Sequence, residues 1–221
     1  MKFPESTFFG KRIPKESFYQ RVDMNSSIKR SFIDDIEQIV WQNKLSPDTL
    51  NVGKGTRVIE IEIFEIQLKR KVYDAKVIEV IEKSIPKHLL FILSYQGESK
   101  LLMNYKEEYE NQTGKFKIVD TFQSDWLASD KLMLQIEGLS IDQVYDSFIR
   151  QVAGTKLVQD EELDIKESVE RTKAIEKLEK KIAELEAKKR KEKQFNKQLQ
   201  ISNEIKKLKN MLNLNDKKAY R

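Results

Sequence analysis

Apolar residues recur along the chain at two different periods, every three or four positions in some stretches and every second position in others, and the changes of period divide it into elements. Ile28, Phe32, Ile36, Ile39 and Val40 share one helical face, so the spacing predicts a helix over 25–42 with Asn25, Ser26 or Ser27 as its N-cap. After the turn-rich Ser46-Pro47-Asp48 and Gly53-Lys54-Gly55, the alternation and β-branched content of 57–68 predict a strand. A helix over 74–84 follows, with Val77, Ile78, Ile81 and Ile85 on one side and Pro86 stopping it. The nearly unbroken apolar run Leu89 to Leu93 reads as a strand covered on both faces, and 100–106 as its hairpin partner across Gln96-Gly97.

Further strands are predicted over 115–122 and 131–137, with Trp126 in a turn or bulge between them. The last helix of this region has the fullest set of start signals, because Ser140 and Gln143 can form a capping box and Leu139 can staple to Val144. Its face of Ile141, Val144, Tyr145, Phe148 and Val152 is suited to packing on a sheet. The pattern is that of an α/β (α+β) fold, a mixed sheet of about five strands with flanking helices over 25–153. The first 24 residues contain Phe3, Phe8, Phe9, Phe18 and Tyr19, too many aromatics for a solvated arm, and are expected to lie over the body as irregular structure.

Beyond Gly154 there is no glycine or proline, which sets a boundary between a globular domain over 1–154 and a helical tail over 160–214. Ile175, Leu178, Ile182 and Leu185 recur as a heptad seam for about two heptads. The seam lapses at Lys189 and Glu192, and Ile201, Ile205, Leu208 and Leu212 resume it in a shifted phase. The tail is therefore one long helix with a phase slip or, as the shortness of each stripe favours, an antiparallel helical hairpin of coiled-coil type that turns within 191–196.

Charge separates the same two parts. Residues 171–221 carry 17 Lys and Arg against 7 Asp and Glu, whereas 1–170 carry 24 against 29, so the net charge of +5 hides an acidic body and a basic tail. Absence of cysteine excludes disulfides, thiol nucleophiles and thiolate metal sites, and the single histidine, His88, excludes chemistry that needs two imidazoles. No apolar run is long enough to span a membrane and the N-terminal residues form no signal-peptide core, so a soluble cytoplasmic protein is expected. No phosphate loop, dinucleotide fingerprint, nucleophile elbow or zinc-binding helix occurs, and no cofactor or resident metal is called for.

The most suggestive chemistry is on the strand at 57–68. Asp48, then Glu65 and Gln67 two positions apart on one strand face, with Lys69 on that face and Lys106 on a neighbouring strand, has the layout by which restriction-type nucleases hold Mg²⁺ and orient water, although a lysine is expected where Gln67 stands. Glu65 and Gln67 continue the face that Ile59, Ile61 and Ile63 begin, which means a pocket at the strand end, a bulge or a change of cover. Glu60 could assist as a ligand or lie on a solvated side. In the tail, Lys188, Lys189, Arg190, Lys191, Lys193 and Lys197 could track a phosphate backbone, but Phe195 is the only aromatic among them, which argues against base stacking. The two apolar stripes, Ile175 to Leu185 and Ile201 to Leu212, suit a helix-on-helix contact with a partner protein or a second copy.

Several segments together resemble a bacterial family catalogued as a domain of unknown function: Phe3-Pro4, Ile13-Pro14-Lys15, Phe18-Tyr19, Trp41, Lys44-Leu45-Ser46-Pro47, EIEIFEIQLK at 60–69, IPKHLLFIL at 85–93, NYKE at 104–107 and EKQFNKQLQISNEIKKLK at 192–209. The resemblance carries no activity and no catalytic residue. It implies a setting, because members are often encoded beside helicases and DNA methyltransferases of restriction or phage-defence type. The expectation is a non-catalytic accessory subunit of such a system, docking through its helical tail onto a helicase or methyltransferase or onto itself. The alternatives are a divergent metal-dependent nuclease centred on Glu65 and a DNA-binding protein acting through the basic tail.

Overall fold

A computed structural model describes residues 2–19, 25–160 and 162–217. Its contacts divide the chain into two compact units, residues 1–153 and 154–221.

The first unit is a mixed seven-stranded sheet with helices on both faces. In chain order it contains β1 (Phe8–Arg12), α1 (Glu16–Tyr19), α2 (Ser26–Asp35), β2 (Ile36–Leu45), α3 (Pro47–Leu50), β3 (Ile61–Leu68), α4 (Ala75–Ser84), β4 (His88–Tyr95), β5 (Glu98–Tyr109), β6 (Gln112–Gln123), β7 (Leu127–Ala128) and α5 (Ile141–Ala153). The sheet order is β1-β2-β3-β4-β5-β6, with β7 added to β5. Among the described strands β3 and β4 are the one parallel pair, and α4 makes the crossover between them.

Three strands, β1, β2 and the two-residue β7, lie outside the expected five, and one of the five, over 131–137, does not form. The helix expected over 25–42 ends at Asp35, and Ile36–Leu45 is a strand. Ile36 and Ile39 mimic a helical spacing because a bulge lies between them: Ile36 pairs with Leu68 but Gln38 with Gln67, so a three-residue step returns to the same face. Near the N-terminus, β1 pairs with β2 antiparallel through a register shift between Phe8 and Lys11, and Phe9 leans on the Trp41 ring at 4.0 Å between centroids, so residues 8–12 are an edge strand, while Phe18 and Tyr19 pack onto the body as expected. The irregular structure expected over residues 20–24 lies outside the described residues.

One face of the sheet, with Ile39, Phe64, Ile66, Leu68, Leu89, Phe91, Leu93 and Leu102, forms a core with Phe32 of α2 and Val77, Ile78 and Ile81 of α4. Alternate residues point the other way, where His88 meets the Tyr145 ring of α5 at 4.6 Å. The β4–β5 turn has positive φ at both Gln96 (45°) and Gly97 (82°), as a two-residue hairpin of matching twist requires.

The strand expected over 131–137 has no ladder. Leu132 and Leu134 are buried and Met133 is exposed, so the alternation is real, but Gln151 of α5 supplies the partner: its amide accepts from Gln135 N and donates to Gln135 O, both at 2.8 Å. Half of the expected capping box of α5 forms, with Ser140 Oγ accepting from Gln143 N at 3.4 Å, while the Gln143 side chain accepts from Leu139 N, one residue before the expected donor, and Leu139, 85% exposed, makes no staple.

The second unit contains α6 (Ile165–Lys191) and α7 (Phe195–Lys217), which form a hairpin. Asp164 and Glu167 make a reciprocal capping box at the start of α6. At the bend, the Glu192 carboxylate accepts from the backbone of Lys193 and Gln194, both at 2.9 Å. Ile182, Ile201, Ile205 and Leu208 are buried in the seam, with Leu178, Leu185 and Leu212 packed beside them and Ile175 half-buried. Lys181–Glu204 at 3.2 Å and Lys209–Glu186 at 2.8 Å cross between the helices. No helix among the described residues is long and apolar enough to cross a membrane.

Candidate functional site

The side chains expected to form a metal site on β3 are not gathered together. Asp48 is exposed in the first turn of α3. Glu60 accepts from Lys44 and Lys87, both at 2.6 Å; burial works against its charge, but these two ammonium groups hold its carboxyl below the usual range. Lys69 does not stay on the Glu65 face. The strand ends at Leu68, and the Lys69 ammonium donates to Ile33 O at 2.8 Å at the end of α2. Lys106 is on the α4 face, where it pairs with Glu82 and donates to Lys87 O at 2.6 Å. Gln67 is exposed. Among the described residues there is no group of three His, Asp or Glu side chains that could hold a metal ion.

Glu65 itself lies at the floor of a cavity of about 610 Å³ lined by Lys2, Phe3, Glu5, Phe8, Gln42, Asn43 and Ile92. The register of β2 and β3 shifts between Trp41 and Asn43, and Gln42, the residue left over, turns its amide onto Glu65 Oε2 at 2.6 Å. Ser94 of β4 donates to Oε1 at 3.0 Å. The roof comes from the N-terminal segment, which is fixed by Asn43 Nδ2 donating to Thr7 Oγ1 at 2.9 Å and by the edge contact of Phe3 with Phe148. Sequence periodicity marks Glu65 as a break in an apolar face, but gives no sign of Gln42, which it assigns to a helix.

His88 is buried between Phe116 and Tyr145. Burial, reinforced by Lys106 and Arg57, lowers its pKa to about 3, so it is a neutral ring at ordinary pH.

At the hairpin bend, Lys188, Lys189, Arg190, Lys191, Lys193 and Lys197 are all exposed, and among the described residues none of them forms an ion pair. Phe195, 75% exposed, stands among them. Seven of the eight apolar residues expected to bind a partner, all but Ile175, contribute to one seam between α6 and α7.

The family model described as Domain of unknown function (DUF4391) matches residues 1–212, and the chain belongs to this family. No curated protein and no solved structure matches the chain.

Proposed function

We propose that this member of the DUF4391 family is a non-catalytic accessory subunit that docks through the bend of its C-terminal hairpin onto an acidic surface of a larger partner. The observation supporting this reading is a contrast within the hairpin. Seam residues cover one another and the stem cations Lys181 and Lys209 form ion pairs, whereas the six cations of the bend form none among the described residues and share only the nearby carboxylates of Glu186 and Glu192. Like charges held this close repel one another, and an opposing surface relieves that repulsion while steering association. The docking surface therefore moves from the apolar stripes to the bend, because the stripes are already occupied by each other.

The setting follows from the family resemblance: a bacterial DNA-modification or phage-defence assembly with a helicase or methyltransferase as the larger partner. A second reading, contact of the same bend with a DNA phosphate backbone, is favoured by the start of α7 at this point, where its first backbone N–H groups add to the positive potential. The nuclease reading is not adopted, since Glu65, Asp48, Lys69 and Lys106 have separate partners or positions.

The test is affinity capture from nuclease-treated native extract with the full chain and with a variant carrying Lys188→Gln, Lys189→Gln, Arg190→Gln and Lys191→Gln. Recovery of a helicase or methyltransferase with the natural sequence and its loss with the variant supports the accessory reading. Retention of duplex DNA by purified protein, lost in the variant and in moderate salt, without any protein partner, replaces it with the second. Equal capture by both baits removes the bend from the docking role.

A further inference from the structure

We infer that the cavity over Glu65 is a binding site for a small organic cation, a primary ammonium or guanidinium head on an apolar stem. The inference is independent of the hairpin and of what docks there. Glu65 is half-buried on a central strand, on the face opposite its buried neighbours Phe64 and Ile66, where an opposing charge stabilises a carboxylate.

Several sequestered carboxylates of this unit meet a cation from the chain, Asp35 with Arg70, Glu60 with Lys44 and Lys87, Glu82 with Lys106 and Asp146 with Arg57, whereas buried Glu62 and half-buried Asp142, like Glu65, form no ion pair among the described residues. The two hydrogen bonds of Glu65 come from neutral donors, one to each oxygen, from Gln42 and Ser94. They fix the orientation of the carboxylate and leave its charge in place. Each oxygen retains a second lone pair, so the group can accept two more donors, as a guanidinium fork or an ammonium supplies.

The cavity suits the rest of such a ligand. Its volume of about 610 Å³ is in the range of small-molecule sites, and Phe3, Phe8 and Ile92 give it apolar walls. The Phe8 wall is held by the adjoining backbone: Gly10 has φ of 62°, and a Cβ there would come within 2.4 Å of the Phe8 ring, so glycine at this position lets the ring lie against the strand. The other two charged residues of the lining, Glu5 and Lys2, are of opposite sign, so with Glu65 the site carries a net negative charge. A metal ion is a poorer occupant, because only Glu65 and Glu5 among the lining residues are carboxylates.

Methyl NMR of the full chain, with Ile92 as reporter, tests the inference by titration with hexylammonium and butylguanidinium against hexanol and hexanoate. The expected result is saturable shifts of Ile92 with both cations, much weaker shifts with hexanol, none with hexanoate, and an approximately tenfold or greater loss of cation affinity in Glu65→Gln, which keeps the size and one of the two acceptor oxygens. Equal binding of hexanol or hexanoate, unchanged affinity in Glu65→Gln, or no shift of Ile92 with either cation at millimolar concentration overturns it. Should Glu65→Gln fail to fold, Ile92→Phe, which fills the cavity from the neighbouring strand β4, is expected to abolish cation binding as measured by calorimetry, and retained binding overturns the inference equally.

Discussion

The Lys106 ammonium and the Glu82 carboxylate form an ion pair with side chains only 4% and 1% exposed, which makes it the most sequestered pair of opposite charges among those described. It joins β5 to α4 and is extended by Lys106 donating to Lys87 O, while Tyr145 donates to Asn104 O at 2.8 Å from the opposite face. Burial pushes the Glu82 carboxyl up and Lys106 opposes that shift. Removing one partner strands a charge in the interior, so Lys106→Met or Glu82→Leu alone is expected to cost about 3–5 kcal/mol. The double variant is expected to recover most of that loss. Urea denaturation of the three variants checks the pattern, and additive losses in the double variant contradict it.

His88 gives the unit a defined pH response. Its folded pKa is about 3, against roughly 6.5 in an unfolded chain, so between these values the unfolded state binds the extra proton. The resulting stability is complete above about pH 6.5 and is lost as pH falls toward 3, at about 1.4 kcal/mol per unit where the slope is steepest. Glu62 and Asp146, pushed up by burial, act with the opposite sign. The difference between the natural chain and His88→Phe isolates the imidazole: the natural chain is expected to lose stability relative to the variant by a few kcal/mol between about pH 7 and about pH 4.

Asp142, at the start of α5, ties the loop before β3 to the helix. It accepts from Thr56 N and Val58 N, both at 2.8 Å, from Thr56 Oγ1 at 3.0 Å and from Arg57 N at 3.2 Å. Burial opposes its charge, but these donors hold the carboxyl below its usual range, so its contribution is present above about pH 4 and is lost as the pH falls below that. Gly55 makes the approach possible, because a Cβ there would lie 2.3 Å from both Asp142 Oδ1 and Val58 O. Gly55→Ala and Asp142→Asn are each expected to lower stability by about 2 kcal/mol. Their effects should be less than additive, since both loosen the same contact.

The separation of Glu65 from Lys69 and Lys106 has a direct enzymatic consequence. Purified protein with Mg²⁺ or Mn²⁺ is expected to leave supercoiled DNA intact, and any trace of nicking should be the same in Glu65→Ala. Cleavage that disappears with Glu65→Ala would restore the nuclease reading.

What the sequence made legible follows from where its periods are unbroken. The helix at α4, the hairpin across Gln96-Gly97 and the two-stripe tail keep one period through each element, and each forms where the pattern puts it. Reading failed where a second partner alters the period. The bulge between Ile36 and Gln38 turns a strand into an apparent helix, and Gln151 replaces a neighbouring strand beside Gln135. The Glu65 cavity was half visible for the same reason. A carboxylate breaking an apolar face can be read from the sequence, whereas Gln42 reaches it only through a bulge and the Phe3 and Phe8 walls only through the folded N-terminal segment.

The hairpin separates its seam from its bend, and substitutions should separate them too. Leu178 and Leu185 flank buried Ile182, so Leu178→Asp with Leu185→Asp puts two carboxylates against Ile201, Ile205 and Leu208. Each aspartate is expected to cost about 2–3 kcal/mol, enough to open an isolated two-helix seam, with a loss of helical circular dichroism confined to the second unit. Replacing Lys188, Lys189, Arg190 and Lys191 with glutamine should leave that signal unchanged, because these side chains take no part in the seam. Both variants are expected to lose the partner, the first by unfolding the docking element and the second by removing its charge. If opening the seam abolishes the complex while neutralising the bend leaves it intact even in moderate salt, the apolar stripes are the docking surface after all and the hairpin opens to receive its partner.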